Sequence, residues 1–426
     1  MKIVIAPDSF KGTLSAAQVC DIVAEAALSA DPSTEVVRLP MADGGEGTVD
    51  CLLSVLMGQR QSVHVQGPLV LPGPVSTVDA SYGIFDGNKA VMEIASASGF
   101  HLVNKNMRDI MHSNTYGTGQ MFMDAVSRGC RTVYMGIGGS ATNDGGLGFA
   151  AALGARFLDR TGRELAPVPS NLMRIEGVDL SDLDGRIAGL ADNPGVRAAG
   201  SGAGPDADTA KLDADPNSEG SAGASGAGPV RLIVMSDVTN PLLGSNGCAH
   251  VFAMQKGATS PEIEELERGM YHFSKVIKRE TGRDMSATPG AGAAGGLGYG
   301  LLTFAGAEIR SGVDAVMDMV GFKEKAAGAD LVVTGEGRMD AQSAQGKVAS
   351  GVSRACRLAG VPCIAIVGDL GEGYESMYDL GLNRIIKTRK NSMTVEYAME
   401  HAAELLRETA EDYFVHGPIE MPTTAN

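Results

Sequence analysis

Acidic residues recur directly after short apolar segments of this chain, and most of them have glycine neighbours. In open α/β sheets, ligands bind outside the carboxyl ends of the strands, so a strand followed by glycine and a carboxylate is typical of an active-site loop. A single case would fit an ordinary turn or helix N-cap equally well. The recurrence favours a ligand cleft. The acidic residues concerned are Asp8, Asp43, Asp144, Asp237, Glu336 and Asp340.

Two glycine-rich segments have the composition of phosphate-binding loops. In residues 136–146, small side chains leave backbone N–H groups open before a predicted helix, an arrangement that binds anions. Residues 289–296 contain the G-x-G-x-x-G pattern, but no strand precedes them, which disfavours NAD or FAD binding. The alternative for this second segment is a tight hinge with close helix packing. The candidate phosphate contacts are Gly138, Gly139, Ser140, Thr142, Gly292 and Gly295.

Four basic residues near these loops provide the positive charge that a phosphate requires, namely Lys11, Lys256, Arg338 and Lys347. Carboxylates for Mg²⁺ or a general base, glycine loops for phosphate, and cations for charge neutralisation are the parts that phosphoryl transfer needs. The P-loop pattern, the protein-kinase motifs and the G-x-S-x-G elbow do not occur in the sequence. The spacing of Cys and His gives no zinc site.

The overall composition restricts the possible partners. The 426 residues carry a formal net charge of −16, and 44% are hydrophobic and 20% charged, which is typical of a globular protein. An acidic field disfavours nucleic acid and anionic membranes as partners. No apolar stretch approaches the ~18 residues that a membrane span requires. The start MKIVIAPDSFKG does not resemble a signal peptide, and the six cysteines are scattered, so we expect a reduced, cytoplasmic protein.

The elements that must position these residues follow from the hydrophobic pattern. Short β-branched segments alternate with Ala- and Leu-rich segments at both chain ends, which predicts an α/β fold with a mainly parallel sheet. Between about 65 and 130 strands follow one another without helices, as in a mixed sheet. We therefore predict a discontinuous domain from 1–64 and 290–426, with a mixed α/β domain, 65–289, inserted. Residues 191–229 have little apolar surface and are predicted to be a disordered surface insert.

Segments across nearly the whole chain resemble the bacterial glycerate kinase family of the class I type. They run in family order, which makes the resemblance specific. The insert at 191–229 departs from the family, which usually has a short connection there. The segments are APDSFKGTLSA (6–16), ADGGEGT (42–48), MEIASASG (92–99), GIGGSATNDGGLG (136–148), DVTNPLLG (237–244), QKGA (255–258), PGAGAAGGLG (289–298) and TGEGRMDAQSAQGK (334–347).

The resemblance implies ATP-dependent phosphorylation of D-glycerate to 2-phosphoglycerate, with Mg²⁺, in a cleft between a flavodoxin-like domain and the inserted domain. Formation of 3-phosphoglycerate, or another small hydroxy acid as acceptor, is the alternative, and a homo-oligomer is possible. A Mg²⁺-dependent phosphatase is less favoured because Asp8 has no D-x-D context. An oxidoreductase lacks the strand before 289–296. A non-catalytic binding protein would not need acidic and basic residues on several separate loops.

The resemblance also suggests a role for each candidate residue. Lys11 with Ser9 would bind the glycerate carboxylate, and Asp43 or Asp237 would accept or orient the hydroxyl proton. Asp144 would hold Mg²⁺. The loop 138–142 and the glycines at 292 and 295 would contact the ATP phosphates. The further substrate contacts would be Asp8, Glu336, Arg338 and Asp340, the last three closing the site from the other domain.

Overall fold

The chain forms an α/β structure with two main sheets. The computed structural model describes residues 1–70, 76–187 and 229–416. Within these ranges no helix is long and apolar enough to cross a membrane. The strands in chain order are β1 (Lys2–Ile5), β2 (Glu35–Arg38), β3 (Gln59–Gln66), β4 (Thr77–Phe85), β5 (Lys89–Glu93), β6 (Thr132–Gly136), β7 (Arg156–Leu158), β8 (Gly177–Asp179), β9 (Arg231–Met235), β10 (Glu308–Arg310), β11 (Leu331–Thr334), β12 (Arg338–Met339), β13 (Cys363–Val367), β14 (Asp369–Leu370) and β15 (Arg384–Lys387).

A five-stranded parallel sheet is built from both ends of the chain. Its order is β15-β13-β11-β1-β2, and all neighbouring strands are parallel. Ile3, Val4 and Ile5 of β1 have no exposed surface, as expected for a parallel sheet covered on both faces. Because the strands are parallel, the loops that follow them meet at one edge of the sheet.

A six-stranded mixed sheet is built from the middle of the chain. Its order is β10-β9-β6-β5-β4-β3. The pairs β3–β4 and β4–β5 are antiparallel, and β5, β6, β9 and β10 are parallel. Two small sheets complete the strands: β7 pairs antiparallel with β8, and β12 pairs parallel with β14. The last pair places Arg338 opposite Asp369, so it joins the loops that leave β11 and β13.

Helices cover the five-stranded sheet on both faces. Helix Ala16–Ala30 begins at a capping box in which the Ser15 hydroxyl accepts from the Gln18 N–H. This helix and helix Ala402–His416 share one apolar cluster with β1. Helices Gly312–Val320 and Val348–Ala359 contribute to the cluster on the opposite face. The other α-helices are Thr48–Val55, Ala95–Ser98, Tyr116–Ser127, Leu147–Ala152, Cys248–Phe252, Ser260–Thr281, Ala293–Phe304, Phe322–Ala326, Ser376–Asp379 and Val395–Glu400; short 3-10 helices are Phe100–Leu102, Lys105–Met107, Ile110–His112, Pro169–Arg174 and Met254–Lys256.

The predicted α/β class and its parallel sheet are confirmed. Sheet membership changes after β10 rather than at residue 290, because helix Ala293–Phe304 packs in the core of the six-stranded sheet and β10 pairs with β9. β3 of the same sheet begins at Gln59, before the predicted boundary at 64. The division into two domains stays a prediction. The predicted insert at 191–229 lies, apart from its last residue, outside the described residues.

Candidate active site

A cavity of about 330 Å³ lies at the carboxyl edge of the five-stranded sheet. The loops after β1, β11, β13 and β15 line it, as expected for a ligand site in an open parallel sheet. The structure therefore brings together residues predicted from segments more than 300 positions apart. The predicted residues that line the cavity are Asp8, Ser9, Lys11, Glu336, Arg338, Asp340 and Lys347.

Asp8 is positioned by backbone pairing that continues past the end of β1. Its N–H donates to the Gly335 carbonyl at 2.8 Å, which keeps the loops after β1 and β11 in contact. The N–H of Ser9 donates to Asp8 Oδ1 at 2.7 Å. Burial, reinforced by the charge of Asp43, raises the pKa of Asp8 to about 6. An acidic group with this pKa changes its charge near the pH at which enzymes work.

Glu336 is the second buried carboxyl group of the cavity, with 6% of its surface exposed. Burial raises its pKa to about 7, and the charge of Lys347, with Nζ 3.9 Å from Glu336 Oε2, acts in the opposite direction. Its Oε1 atom is buried and has no hydrogen-bond partner among the residues that the structure describes. Buried polar atoms are normally satisfied, so this oxygen points to a ligand, an ion or a water molecule in the cavity.

Asp43 lies beside the cavity, in the loop that follows β2. Its Oδ1 accepts from the Gly45 N–H at 3.0 Å, and its Oδ2 lies 3.6 Å from Nζ of Lys11. The two carboxylate oxygens of Glu93 accept from the N–H groups of Gly47 and Val49 and so cap helix Thr48–Val55, which anchors this loop to the end of β5. With 27% of its side chain exposed, Asp43 is open to a small ligand.

Asp237 follows β9 and reaches the same region from the six-stranded sheet. Burial raises its pKa, and the charge of Asp43 acts in the same direction. A Cβ atom added to Gly346, where φ is +83°, would lie 3.2 Å from Asp237 Oδ1, so the turn before Lys347 packs on this carboxylate. Asp43 and Asp237 are therefore neighbours at one end of the cavity, although neither lines it.

The loop at residues 138–142 is only partly open. Gly138 and Gly139 are exposed, and Gly138 lies against Gly45 in the loop of Asp43. Ser140 and Thr142 are buried, and their hydroxyl groups bond to each other at 3.1 Å. The burial of these two side chains disfavours the phosphate contact that the sequence predicts for them, which stays a prediction. An anion contact at the exposed backbone of Gly138 and Gly139 stays a prediction.

The prediction that Gly292 and Gly295 contact phosphate stays a prediction, and the packing of both glycines disfavours it. Both glycines are buried, and a Cβ atom on either would collide with backbone, of Pro241 and Thr142 respectively. Gly295 also requires a positive φ of +71°, and its carbonyl accepts from the Gly145 N–H at 3.1 Å. The glycines of 289–296 allow close packing of two backbone segments, which was the alternative for this pattern.

The prediction that Asp144 holds Mg²⁺ also stays a prediction, and the surroundings of this carboxyl group disfavour it. Its carboxyl group is fully buried and accepts four hydrogen bonds from protein groups. The donors are the N–H and hydroxyl groups of Thr115 and the N–H groups of Gly146 and Gly148, at 2.8–3.1 Å. Burial raises the pKa of Asp144, and these donors act in the opposite direction. Asp144 organises the start of helix Leu147–Ala152 and has no face open to a metal ion.

Lys256 is likewise not available to a phosphate. It is 3% exposed, and its Nζ donates to the Thr142 carbonyl at 2.5 Å. Burial lowers its pKa to about 8. Its place is behind the loop of Ser140 and Thr142, where it fixes the backbone from the protein interior.

Sequence reasoning missed the part of the cavity after β13 and β15. Asp369 and Arg389 line it and form an ion pair at 2.9 Å. Asp369 directly follows the predicted strand 362–368, which ends in glycine, so the pattern of strand, glycine and carboxylate that singled out Glu336 also marks this site. The segment from Val395 to Ala402 forms a wall of the cavity, and only its position in the fold reveals that.

The raised pKa of Glu336 predicts a stability difference that depends on pH. A folded-state pKa above the unfolded value means that stability is present below pH 4.5 and is lost as pH rises through about 7. Glu336→Gln removes that loss, so we expect it to raise the free energy of unfolding at pH 8 by up to about 3 kcal/mol and not at pH 5. Urea unfolding at both pH values measures this. The exposed Glu265→Gln is the control and should show no difference; equal effects of Glu336→Gln at both pH values would contradict the prediction.

The fold and the site together define an α/β enzyme whose cleft lies at the carboxyl ends of a parallel sheet. A model of the glycerate kinase family matches residues 3–192 and 209–415. A glycerate kinase of Halalkalibacterium halodurans is 39% identical over 414 residues, covering 97% of both chains. A glycerate 2-kinase of Escherichia coli is 35% identical and covers 94% of both chains.

The similarity extends to three dimensions. The crystal structure of a protein described as glycerate kinase 2 from Salmonella typhimurium LT2 has a TM-score of 0.80, with 35% identity and 97% of both chains covered. The chain therefore belongs to the glycerate kinase family. It is an enzyme, a phosphotransferase, and the resemblance found in its motifs is confirmed.

Proposed function

We propose that this enzyme transfers the γ-phosphoryl group of ATP to D-glycerate and forms 2-phosphoglycerate. The observation that carries the proposal is the cavity in which buried carboxyl groups face Lys11, Arg338 and Lys347 at the edge of the parallel sheet. The similarity to a glycerate 2-kinase supports the 2-hydroxyl group as the acceptor. Phosphoryl transfer depends mainly on positioning and charge neutralisation, which these groups supply.

The acceptor binds at the end of the cavity where Asp43 and Lys11 meet. Lys11 and Ser9 bind the glycerate carboxylate by charge and hydrogen bonding, and Lys11 is 71% exposed and free to reach it. Asp43 takes the proton of the acceptor hydroxyl group as the oxygen bonds to phosphorus and the bond to ADP breaks. Asp237, the neighbouring carboxylate with a raised pKa, is the second candidate for the base.

The phosphates of the donor meet the cations of the cavity. Arg338 and Lys347 neutralise the charge of the phosphate chain, and the exposed backbone at Gly138 and Gly139 offers N–H groups on the side of Asp43. Asp340 lies on the same loop as Arg338, and its Oδ1 accepts from the Gln342 N–H at 2.9 Å. It orders the loop that carries the cation.

Asp8 and Glu336 fit a requirement for Mg²⁺. Mg²⁺ is bound through one or two carboxylates, with waters and substrate phosphates as its other ligands. The two side chains line one cavity, and Glu336 Oε1 has no partner in the described part of the chain. In that part no group of three or more His, Cys, Asp or Glu side chains is arranged to hold a metal by protein ligands alone. The ion supplies neutralisation of phosphate charge when bound with the nucleotide.

The experiment that tests the proposed function is ADP formation from Mg-ATP with and without D-glycerate, followed by NMR of the product. Glycerate-dependent ADP release with 2-phosphoglycerate as product is the expected result. 3-Phosphoglycerate would overturn the choice of hydroxyl group only. Phosphate release without a phosphorylated acid would indicate a phosphatase, and activity with another hydroxy acid alone would overturn glycerate as the acceptor.

A further inference from the structure

The cavity has an apolar half that a glycerate molecule does not need. Val395, Ala398, Met399 and Ala402 line it from one side, and Phe10 lines it from the loop after β1. These five residues are called the apolar wall. D-Glycerate is a three-carbon acid in which every carbon atom carries oxygen, so it has no surface to match such a wall.

The helical part of the apolar wall exposes side chains that a protein normally buries. None of the six residues of helix Val395–Glu400, all within the described range, is buried. Val395 is 49% exposed and Met399 is 47% exposed, and both line the cavity. Apolar side chains beside a few polar groups in a concave site are typical of a pocket for a ligand with a flat or apolar part.

The apolar wall lies over the loop that follows β1. Phe10 belongs to this loop, and a Cβ atom added to Gly12 would lie 3.5 Å from Met399 Cε. The same cavity continues from the wall to the polar side chains of Asp8, Arg338 and Asp369. A nucleoside triphosphate needs both kinds of surface in one cavity, because it joins a flat, largely apolar base to a charged phosphate chain.

A carboxylate oxygen beside the apolar wall also lacks a hydrogen-bond partner. Asp369 lines the cavity, and its Oδ1 is buried without a hydrogen-bond partner among the described residues. Its Oδ2 forms an ion pair with Nη2 of Arg389. Nη1 of Arg389 donates to the Met393 carbonyl at 2.9 Å, which connects the segment before the wall to the end of β15. The unpaired carboxylate oxygen can accept a hydrogen bond, and a ribose hydroxyl group can donate one to it.

We infer that the apolar wall binds the base of the phosphoryl donor ATP and that Asp369 accepts a hydrogen bond from its ribose. The phosphates then run across the loops of Arg338 and Asp8 towards Asp43. This inference rests on the proposed function for the identity of the donor. It deepens that function by assigning the nucleoside subsite to Val395–Ala402 and Asp369, which lie outside the segments that resemble the family.

The test compares two glutamate variants on the same helix. Met399→Glu places a charge in the apolar wall. Tyr397→Glu places the same charge at a site that is equally exposed, 48% against 47%, but does not line the cavity. We expect Met399→Glu to raise the KM for ATP about tenfold or more, with the KM for D-glycerate within about twofold, and Tyr397→Glu to leave both unchanged.

Adenosine binding separates the wall from the phosphates. Adenosine carries no charge, so the loss of its binding in Met399→Glu cannot come from repulsion of phosphate. We expect calorimetry to show a Kd for adenosine about tenfold higher in Met399→Glu than in Tyr397→Glu and the wild type. A second variant, Asp369→Asn, should weaken the binding of adenosine more than the binding of 2′-deoxyadenosine, because 2′-deoxyadenosine lacks the ribose 2′-hydroxyl group.

The outcomes distinguish this inference from the proposed function. Glycerate kinase activity in the wild type with unchanged ATP and adenosine values in Met399→Glu would overturn the inference and leave the function intact. A rise in the KM for D-glycerate alone would assign the wall to the acceptor and overturn it as well. Adenosine binding that depends on Met399, in a wild type without glycerate-dependent ADP formation, would support the subsite and overturn the function.

Discussion

Asp43→Asn lowers kcat by about 10²–10⁴-fold, the range in which loss of a general base falls. Asparagine has the size of aspartate and can still accept the Gly45 N–H at the position of Oδ1. It cannot take a proton from the acceptor hydroxyl group. Steady-state ADP formation at saturating ATP and D-glycerate measures the effect, and the variant should fold like the wild type because Asp43 is partly exposed.

Two further variants show whether a loss of kcat in Asp43→Asn is specific to Asp43. Asp79→Asn, on β4 with 85% of its side chain exposed, is the matched control and should keep the wild-type kcat. Asp237→Asn is the comparison inside the site. If it loses activity while Asp43→Asn does not, Asp237 is the base. If both variants keep nearly full kcat, neither carboxylate acts as a base and the proposed mechanism fails.

Asp144→Ala has the largest expected effect on stability. The substitution leaves four buried donors without an acceptor, two from Thr115 and one each from Gly146 and Gly148. A buried donor left unpaired costs about 1–3 kcal/mol, so we expect a loss of about 4 kcal/mol or more in the free energy of unfolding. That is a large part of the stability of an ordinary protein, so we expect a lower yield of folded protein for this variant. Urea unfolding measures the loss.

A milder substitution separates structure from metal binding at the same residue. Asp144→Asn keeps one oxygen for the three donors that meet Oδ2 but turns an amide N–H₂ group towards the Gly146 N–H. We expect reduced stability and an unchanged Mg²⁺ concentration for half-maximal activity. A clear rise in that concentration with normal stability would restore the metal role. Asp182, with 68% of its side chain exposed, provides the control. Asp182→Ala should change neither the stability nor the Mg²⁺ concentration for half-maximal activity.

The cavity brings four cationic side chains together with four carboxyl groups in a protein of net charge −16. Lys11, Arg338 and Lys347 line it together with the paired Arg389. An anionic substrate is repelled by the average field and is attracted only where such side chains cluster. The placement of the cations therefore offsets the carboxyl groups of the cavity at the site where we propose that both anionic substrates bind.

The pattern at the strand ends predicts a shared cavity for Asp8, Glu336 and Asp340, and all three residues line one, because the cause of the pattern is local and repetitive. Their roles stay predictions. Each residue follows a buried β-branched segment with glycine nearby, and parallel strands bring all such ends to one edge. The same pattern at Asp144 misled, because a carboxylate after a glycine-rich turn can face outwards or cap the turn itself. Burial and four hydrogen bonds decide between these, and neither is visible in the spacing of residues.

The sequence by itself determined the α/β class, the family through its ordered motifs, and most of the charged residues of the cavity, since these depend on residue type and local order. Only the tertiary structure decided which of those residues face a ligand. Lys256 and Gly295 are buried by packing between segments distant along the chain, and Met399 joins Phe10 in one cavity wall. Such contacts arise from chain packing, which short-range spacing does not encode.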